Sequence, residues 1–402
     1  MIIVLYFIII LSLLLLNIYM NKRIVNHATI FNFIWMIIPL LVVVFGLPIR
    51  ENVFFLMLIY NIAFIIGYNL KRGPINNVFR IDEGNYLRFK KLNKYTIGIN
   101  LIGVLFLLFF LNIRISDFSS LTAFALKASS ISSLRYSNGL ELPFINRIIN
   151  SIIYFVIAYN GFYFASNRNK THFINLILLA IQTIILNTKA TLVFALAFWV
   201  GGFLSGIRFF NISIKLKSLF KYSLYLGCIF IFFVSVNFIR HDMEYTYFEE
   251  IKKIGFGYTI SPFSAYNLWY DTKKHSELQY GLNTFEGIFR MLLPIKHKHG
   301  NMMYFNGINT NVYTVFKHLN SDFGTIGSII FMFIIGVLGN LLGKKNNSKN
   351  MKSVAFSIIL YSFLLTTFFS SIFRYNINIV SMILIYIYAI FYNRKSSCLK
   401  KC

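Results

Sequence analysis

Basic side chains recur near the ends of the apolar segments of this chain, where they could bind an anion. Arg135, Lys189, Arg240, Arg290 and Arg374 all lie at or close to such ends. Placing a charge at membrane depth costs about 2.5–3.5 kcal/mol or more, so these positions require an explanation. One interpretation is that the long side chains reach out to lipid headgroups. The other is that they form a cluster that grips phosphate oxygens through paired guanidinium N–H groups.

A polar stretch stands immediately before the apolar run at residues 324–343. It contains the ionisable residues Lys317, His318 and Asp322. Ser321 or Asp322 could cap the first turn of the helix that follows, because N–H groups in a first turn lack backbone acceptors. Alternatively, the stretch belongs to a binding or catalytic site. The residue pattern alone leaves both interpretations open.

The residue types that usually bind metals are sparse and poorly spaced. His297 and His299 have no carboxylate or cysteine at a matching spacing, so we predict no metal site. The three cysteines, Cys228, Cys398 and Cys402, form no pattern typical of a disulfide framework or a zinc site. We therefore expect no metal.

The composition is typical of a protein embedded in a membrane. Of the 402 residues, 57% are hydrophobic and only 13% are charged, whereas soluble domains have about 25% charged residues. Apolar runs long enough to cross about 30 Å of hydrocarbon recur along the chain. We therefore predict an all-α polytopic membrane protein, a single integral domain over residues 1–402 with about eleven transmembrane helices. The predicted spans are 2–20, 30–48, 52–70, 96–113, 148–166, 173–187, 191–207, 222–239, 324–343, 353–372 and 377–393.

The basic residues also predict the orientation of the chain. They cluster in alternate loops, for example within residues 71–94, 208–221 and 344–352, and basic loops stay in the cytoplasm. This pattern predicts an N-terminus outside and a C-terminus in the cytoplasm. It also explains much of the net charge of +26 without a nucleic-acid partner. The first span lacks a basic leader and a cleavage site, so we expect it to be retained.

The same orientation places one large loop, residues 240–323, outside the membrane between the eighth and ninth spans. Most acidic residues fall in the outer segments, among them Glu286 and Asp322. Groups able to do acid–base or binding chemistry are therefore concentrated on the outer face. The polar stretch that contains Asp322 closes the large loop.

The polar stretch and the span after it resemble a segment of the Wzy-type oligosaccharide repeat-unit polymerases of O-antigen and capsule pathways. In that family a similar motif opens a late transmembrane helix after a large outer loop. Three further segments are similar: "QYGLNTFEG" at 279–287, "LNTKATLVFALAFW" at 186–199 and "SSLRYSNG" at 132–139. In the polar stretch and the span after it, the residues that match the family are Asn311, Tyr313, Thr314, Phe316, Asp322, Phe323, Gly324 and Gly327.

The resemblance implies a glycosyltransferase, namely a polysaccharide polymerase with a polyprenyl-diphosphate-linked donor. Such an enzyme transfers a glycan from undecaprenyl diphosphate to a sugar hydroxyl of another lipid-linked repeat unit. The reaction takes place at the outer face of the bacterial cytoplasmic (inner) membrane and needs no cofactor. The implied partners are undecaprenyl-diphosphate-linked oligosaccharides, membrane lipid, a flippase and a chain-length regulator. Two alternatives remain, a surface-polysaccharide (O-antigen) ligase and a lipid-linked oligosaccharide flippase.

The resemblance also implies roles for individual residues. Cationic side chains would neutralise the departing diphosphate, and a base would help to remove the acceptor proton. The candidate bases are His318, Asp322, His241 and Glu141. Lys189 stands where the family often has arginine, so the charge is kept but the bidentate fork is lost. The expected catalytic residues are Arg240, Arg290, His318 and Asp322, and the expected substrate-binding residues are Arg135, Lys189, Tyr280, Asn311, Tyr313 and Arg374.

Overall fold

The computed structural model describes most of the chain and all or most of every predicted span except one. The predicted eighth span, residues 222–239, lies outside the described residues. The described residues are 2–21, 24–44, 50–70, 83–136, 144–186, 188, 190–212, 261–272, 277–293, 303–305, 308–310, 312–344 and 351–398.

The apolar runs fold as α-helices. Backbone N–H and C=O groups surrounded by hydrocarbon must bond to each other, and a helix satisfies them within one segment. In the described part of the chain the helices are α1 (Ile2–Asn21), α2 (His27–Val44), α3 (Glu51–Asn69), α4 (Glu83–Phe110), α5 (Leu121–Tyr136), α6 (Phe144–Asn167), α7 (Ile174–Ile185), α8 (Ala190–Phe209), α9 (Ser261–Thr272), α10 (Glu286–Leu292), α11 (Val315–Lys344), α12 (Met351–Thr366) and α13 (Asn376–Cys398).

Ten of the runs that we predicted to be helical coincide with helices of the described chain. Six helices are long and apolar enough to cross a membrane: α1, α3, α4, α6, α8 and α11. The apolar parts of α2, α7, α12 and α13 are shorter. The described structure is therefore that of a helical protein with six candidate membrane spans. The count of eleven spans and the orientation remain predictions.

The predicted outer loop, residues 240–323, contains structure that the sequence did not predict. Helices α9 and α10 lie within it, as does a small antiparallel hairpin of β1 (Met303–Phe305) and β2 (Ile308–Thr310). In the hairpin, Met303 pairs with Thr310 and Phe305 pairs with Ile308. The hairpin is the one exception to an otherwise helical set of described elements.

By their contacts the residues form two compact units. The first contains Met1–Arg80 and Phe256–Cys402, and the second contains Ile81–Gly255. In the first unit α3 and α11 lie in close contact, since a Cβ at Gly67 would overlap the Phe333 carbonyl oxygen and one at Gly336 would overlap that of Phe64. Small residues allow helix backbones to approach in this way.

The first turns of α11 are fixed by an aromatic core. The ring of Phe316 lies 4.7 Å from that of Trp35 and 4.6 Å from that of Tyr60, measured between centroids. The Trp35 indole N–H donates to Thr367 Oγ1 over 3.2 Å, and the Val315 N–H donates to the Thr367 carbonyl over 2.8 Å. These contacts join α2, α3 and the end of α12 to the start of α11, so they set the position of the polar residues that follow Phe316.

The second unit encloses a ladder of buried amide and imidazole side chains. Asn93 Oδ1 accepts from Asn160 Nδ2 over 2.8 Å and from Asn175 Nδ2 over 2.9 Å. His172 Nδ1 bonds to Asn160 Oδ1 over 2.8 Å, and Gln182 Nε2 donates to Asn100 Oδ1 over 2.8 Å. Mutual pairing satisfies polar groups that would otherwise be costly to bury. The ladder therefore fixes how α4, α6 and α7 pack together.

Candidate functional site

The polar stretch before residue 324 is already helical, and the helix breaks at Gly324. Gly324 adopts φ 65° and ψ −176° inside α11. This backbone region is open to almost no residue except glycine. The predicted span boundary at residue 324 therefore corresponds to a break within one helix. The helix itself begins at Val315, nine residues before the predicted boundary.

The break is stabilised by a loop that precedes α10. The Gln279 N–H donates to the Ser321 carbonyl over 3.0 Å, and the Tyr280 N–H donates to the Asp322 carbonyl over 3.1 Å. A non-helical residue disturbs the i→i−4 bonding of the turn around it, so carbonyl groups next to Gly324 can accept from the loop. Residues 279–280 and the break thus form one hydrogen-bonded structure.

The Asp322 carboxylate anchors the same loop. Oδ1 accepts from the Asn283 backbone N–H over 3.0 Å and from Asn283 Nδ2 over 2.9 Å. Oδ2 accepts from the Thr284 N–H over 2.6 Å, and Asp322 is fully buried. The interpretation of Asp322 as a cap for the following helix turn is therefore wrong, since its carboxylate binds the loop 38 and 39 residues earlier in the chain.

The loop bends sharply at Tyr280 and Gly281, where both residues have positive φ values of 47° and 96°. A positive φ is uncommon for a residue with a side chain, so the surrounding hydrogen bonds must hold Tyr280 in place. Its side chain is 78% exposed. The bend therefore leaves the aromatic ring of Tyr280 largely exposed, and its contact with substrate stays a prediction.

The connection between α12 and α13 closes the other side of the loop. The Ser371 hydroxyl donates to the Thr284 carbonyl over 2.9 Å. At the start of α10, Gly287 lies so close to the backbone of residues 373–375 that a Cβ would come within 2.8 Å of the Phe373 carbonyl oxygen. This close approach brings the side chains of Glu286 and Arg374 together.

Arg374 binds a carboxylate that our sequence interpretation did not select. Its Nε and Nη2 donate to Glu286 Oε2 over 3.0 and 2.8 Å. The side chains of Arg374 and Glu286 are 14% and 11% exposed. A salt bridge with this little exposure is screened much less by solvent than a surface pair. Arg374 is therefore a partnered cation in this structure.

Arg374 also sets the tautomer of His318. Its Nη1 lies 3.3 Å from His318 Nε2, and because a guanidinium can only donate, Nε2 must be the acceptor. A neutral His318 then carries its proton on Nδ1. This atom is buried and has no hydrogen-bond partner within the described part of the protein. In this arrangement His318 presents a donor and no available lone pair.

A second polar group holds the segment of α11 before the break. Asn320 Oδ1 accepts from the Tyr60 hydroxyl and from the Ser328 hydroxyl, each over 2.7 Å. Asn320 Nδ2 donates to the Tyr266 hydroxyl over 2.6 Å. Because Ser328 lies beyond Gly324 and Asn320 before it, this group joins the two segments of α11 and connects them to α3 and α9.

Aromatic side chains surround Lys317 at the start of α11. Its ammonium lies 4.5 Å from the ring centroid of Tyr313 and 5.9 Å from that of Trp269, which is the range of cation–π attraction. Tyr313 is only 3% exposed. In this structure the Tyr313 ring packs against the Lys317 ammonium, and the predicted role of Tyr313 in substrate binding stays a prediction.

Several predicted site residues come together in the first unit. We define the Asp322–Arg374 cluster as Asn283, Thr284, Glu286, His318, Asp322, Ser371 and Arg374. Tyr280 belongs to the same loop, and Arg290 lies one helical turn beyond Glu286 on α10, partly exposed. No hydrogen bond or ion pair joins Arg290 to another described residue.

The remaining predicted residues are not in this cluster. Arg240, Lys189 and Asn311 lie outside the described residues, as do the alternative bases His241 and Glu141. Arg135 belongs to α5 in the second unit. Within the described ranges, no group of three or more potential metal ligands occurs.

Sequence reasoning missed Glu286, Asn283 and Thr284 as members of the site. The one signal available was the spacing of Glu286 and Arg290, an acidic and a basic residue four positions apart that share one face of a helix. The hydrogen bonds of Asn283 and Thr284 depend on tertiary contacts that have no local signature. The cluster and Arg290 together offer a buried donor, two carboxylates and two guanidinium groups, which suits acid–base chemistry beside an anion.

Comparisons of the chain with protein-family models, with curated proteins and with solved structures find no match.

Proposed function

We propose that the chain is a glycosyltransferase that polymerises undecaprenyl-diphosphate-linked oligosaccharide repeat units into O-antigen or capsular polysaccharide. A sugar hydroxyl of one repeat unit attacks the anomeric carbon of another. The new glycosidic bond forms as the bond between that carbon and the diphosphate oxygen breaks. The hydroxyl proton passes to a base, and undecaprenyl diphosphate leaves with the bonding electron pair.

The observation that carries this proposal is the union of two segments that support the resemblance independently. "QYGLNTFEG" and the stretch that ends in "DFG" are joined by the bonds from Asn283 and Thr284 to Asp322. Two backbone bonds, from Gln279 to Ser321 and from Tyr280 to Asp322, join them further. Two similar segments that contact each other support the proposed function more strongly than two similar segments far apart in a structure would.

The charges near this junction suit a diphosphate leaving group. Preorganised donors aimed at developing negative charge are often the largest single contribution to catalysis. Arg290 lies partly exposed on α10, and Arg374 lies at the end of the α12–α13 connection. Arg290 is the better candidate for direct contact with diphosphate, because Arg374 is already bound to Glu286.

The proposed membrane arrangement has about eleven spans, with the N-terminus outside and the C-terminus in the cytoplasm. The enzyme acts at the outer face of the bacterial cytoplasmic membrane, where it meets lipid-linked oligosaccharides, a flippase and a chain-length regulator. The six candidate spans support a membrane location. The alternate basic loops support the orientation.

The experiment that tests the function is deletion of the gene in its own strain, with the chain restored from a plasmid. The deletion strain should still export single repeat units, but the length of its surface polysaccharide should collapse to one unit. The plasmid should restore the ladder of longer chains, which is measured by gel electrophoresis of surface polysaccharide.

Two other outcomes would reject the polymerase in favour of an alternative. If full-length polymer accumulates on undecaprenyl diphosphate without reaching its final acceptor, the chain acts as a ligase. If lipid-linked single units accumulate on the cytoplasmic face and no glycan reaches the surface, the chain acts as a flippase.

A further inference from the structure

Residues 278–293, which belong to the predicted outer loop, carry a group of exposed apolar side chains. Leu292 is 74% exposed. Single exposed apolar side chains are common on proteins, but a concentration of them in one place marks an interaction surface. The other large apolar side chains that are exposed in this segment are Leu278, Tyr280, Leu282, Ile288, Met291 and Leu293. The 278–293 segment therefore has a surface that fits an apolar partner.

The contacts of Phe285 place this segment beside the apolar part of α11. Its ring lies 6.1 Å from that of Phe331 and 5.5 Å from that of Phe373, measured between centroids. Phe331 follows Gly324 by seven residues, which is about 10 Å along a helix. Because α11 is one of the six helices that are long and apolar enough to cross a membrane, the 278–293 segment lies alongside a candidate span and not beyond its end.

The exposed apolar surface of α11 begins at the same level. Ile326, Ile330 and Ile334 are exposed, and their spacing of four residues places them on one face of the helix. Lipid tails are as apolar as such side chains, so lipid can cover this row. Leu278 lies beside Gly324, since a Cβ there would meet its Cδ2 at 3.7 Å. The apolar side chains of the 278–293 segment therefore start where the lipid-facing row of α11 starts.

The backbone of the segment is hydrogen-bonded within the protein although it is not helical before α10. The N–H groups of residues 279, 280 and 282–285 all donate to protein acceptors. Asp322 alone supplies three of these acceptors, its carbonyl oxygen and both carboxylate oxygens. A loop in water can leave its N–H groups to the solvent, whereas non-helical backbone at membrane depth is tolerated only where protein groups or enclosed water satisfy it. The bonding therefore suits apolar surroundings.

Helix α10 has the form of a helix that lies along a membrane surface. Its seven residues extend over about 10 Å, far less than the roughly 30 Å of hydrocarbon that a span must cross. One side is fixed to protein at Gly287, which packs against the backbone of residues 373–375. Ile288, Met291 and Leu292 are exposed, and at 3.6 residues per turn they share the opposite side. Helices with one apolar side bind in the plane of the membrane interface.

Arg290 lies on the side of α10 away from these apolar residues, one helical turn after Glu286. It is partly exposed. Long cationic side chains at the edge of an apolar surface extend toward lipid headgroups, and a guanidinium binds phosphate oxygens through parallel N–H groups. When the apolar side of α10 faces the lipid tails, Arg290 is directed toward the phosphates. The distribution of charge therefore fits a phospholipid surface.

We propose that the 278–293 segment lies in the boundary layer of the lipid bilayer, with Met291 and Leu292 among the acyl chains and Arg290 at the phospholipid phosphates. This part of the predicted outer loop is then a membrane-bound element and not a solvated one. The diphosphate of a lipid-linked substrate lies at the same depth, so this position also explains how Arg290 meets it. The proposal concerns the depth of the segment, and it stands or falls independently of the proposed reaction.

The test measures the depth of a nitroxide spin label at residue 292 in liposomes of phosphatidylcholine. Leu292→Cys is made in the full-length chain with Cys228, Cys398 and Cys402 replaced by serine. Oxygen concentrates in hydrocarbon and a soluble nickel complex stays in water, so the ratio of their collision rates with the label reports depth. The ratio should lie between that of a label at Ile334→Cys, on the exposed row of α11, and that of labelled glutathione in the buffer.

Leu87→Cys is the matched control for Leu292→Cys. Leu87 is also an exposed leucine on a helix, but it lies among Arg88, Lys90 and Lys91, nine residues before the predicted span 96–113. Its label should collide chiefly with the nickel complex, as labelled glutathione does. The labelled variants should melt like the unlabelled chain, because each substituted side chain is exposed.

Arg290→Glu tests the contact with phosphates. Phosphates repel a carboxylate, so in this variant the ratio for the label at residue 292 should shift toward that of labelled glutathione. Arg290→Lys keeps the attraction of a positive charge and should leave the label near its original depth. An unchanged ratio in Arg290→Glu would overturn the assignment of Arg290 to lipid phosphate.

Three results for the label at residue 292 would overturn the proposed depth. A ratio equal to that of labelled glutathione would place the segment in water. A ratio equal to that of the label at Ile334→Cys would place it in the hydrocarbon interior, out of reach of the phosphates. Protection from both oxygen and the nickel complex would mean that protein, such as a second copy of the chain, covers this surface.

Discussion

Thr284 and Asp322 are 38 residues apart in the chain, yet the Thr284 N–H donates to Asp322 Oδ2 over 2.6 Å. This bond joins a loop before α10 to the break in α11. Because Asp322 has no exposure to solvent, the N–H groups that bind it are its substitute for water. The contact explains why a charged residue can stand so close to the apolar part of α11.

We predict that Asp322→Asn releases this loop. The new amide can keep one oxygen acceptor, but its NH₂ group must face an N–H donor from residues 283–284. Losing a hydrogen bond to a charged group costs about 1.5–3 kcal/mol. Hydrogen exchange at residues 279–285 should therefore become faster, and polymerisation should fall.

Ser321→Ala is the matched control for Asp322→Asn, since only the backbone carbonyl of Ser321 binds the loop. Exchange in this variant should match that of the wild type. Unchanged exchange at residues 279–285 in Asp322→Asn would contradict the anchoring role of the carboxylate.

Gly324→Ala should destabilise the break without any steric overlap. An added Cβ would meet Leu278 at an ordinary 3.7 Å, so the cost comes from the backbone conformation alone, about 1–3 kcal/mol. The melting temperature in detergent should fall. Gly98→Ala provides the comparison, because Gly98 lies inside α4 with open space around it, and it should be neutral or stabilising by up to about 1 kcal/mol. Equal melting temperatures for the two variants would show that the break at Gly324 is not strained for alanine.

The function of Arg374 should depend on the several N–H donors of its guanidinium group as well as on its positive charge. Arg374→Ala removes the partner of Glu286 and the donor to His318, so it should nearly abolish polymer. Arg374→Lys keeps a charge on one nitrogen and cannot reproduce both contacts, so it should restore activity only in part. A double-mutant cycle on protein stability that combines Arg374→Ala with Glu286→Ala should give a coupling energy of about 0.5–3 kcal/mol. Additive effects would mean that the pair in the structure contributes nothing.

The sequence predicted the helices better than the site. Ten predicted runs coincide with helices, because long apolar segments must satisfy their backbone groups internally. The prediction failed at Val315, where the helix begins earlier than the apolar run. Lys317, His318 and Asp322 are polar and resembled a loop, but tertiary contacts with Arg374, Asn283 and Thr284 allow them to lie within a helix.

The site was predicted in part for the same reason. His318, Asp322 and Arg374 were selected as ionisable residues near helix ends, and the structure connects them. Glu286 was counted only among the outer acidic residues, because nothing in its local sequence indicates that Gly287 packs against the backbone at Arg374. Such a contact depends on glycine at one position and a turn 87 residues later, which no local pattern reports.

The orientation remains a prediction that reporter fusions can test. Fusions near residues 85, 215 and 347 should report the cytoplasm, and fusions near residues 130 and 280 should report the outside, because the basic loops alternate. Activity of a periplasmic alkaline phosphatase reporter and of a cytoplasmic β-galactosidase reporter distinguishes the two sides. A cytoplasmic result near residue 280 would place the Asp322–Arg374 cluster on the wrong side for the proposed reaction.

The most direct test of the account is polymerisation by the purified chain alone. The protein is placed in liposomes with undecaprenyl-diphosphate-linked repeat units and no nucleotide, and the products are separated by length. We predict a ladder of glycans in which each added unit releases one undecaprenyl diphosphate, since the glycosyl–diphosphate bond supplies the energy. Repeat units that remain single and fully lipid-linked, with a correctly folded protein present, would contradict the account.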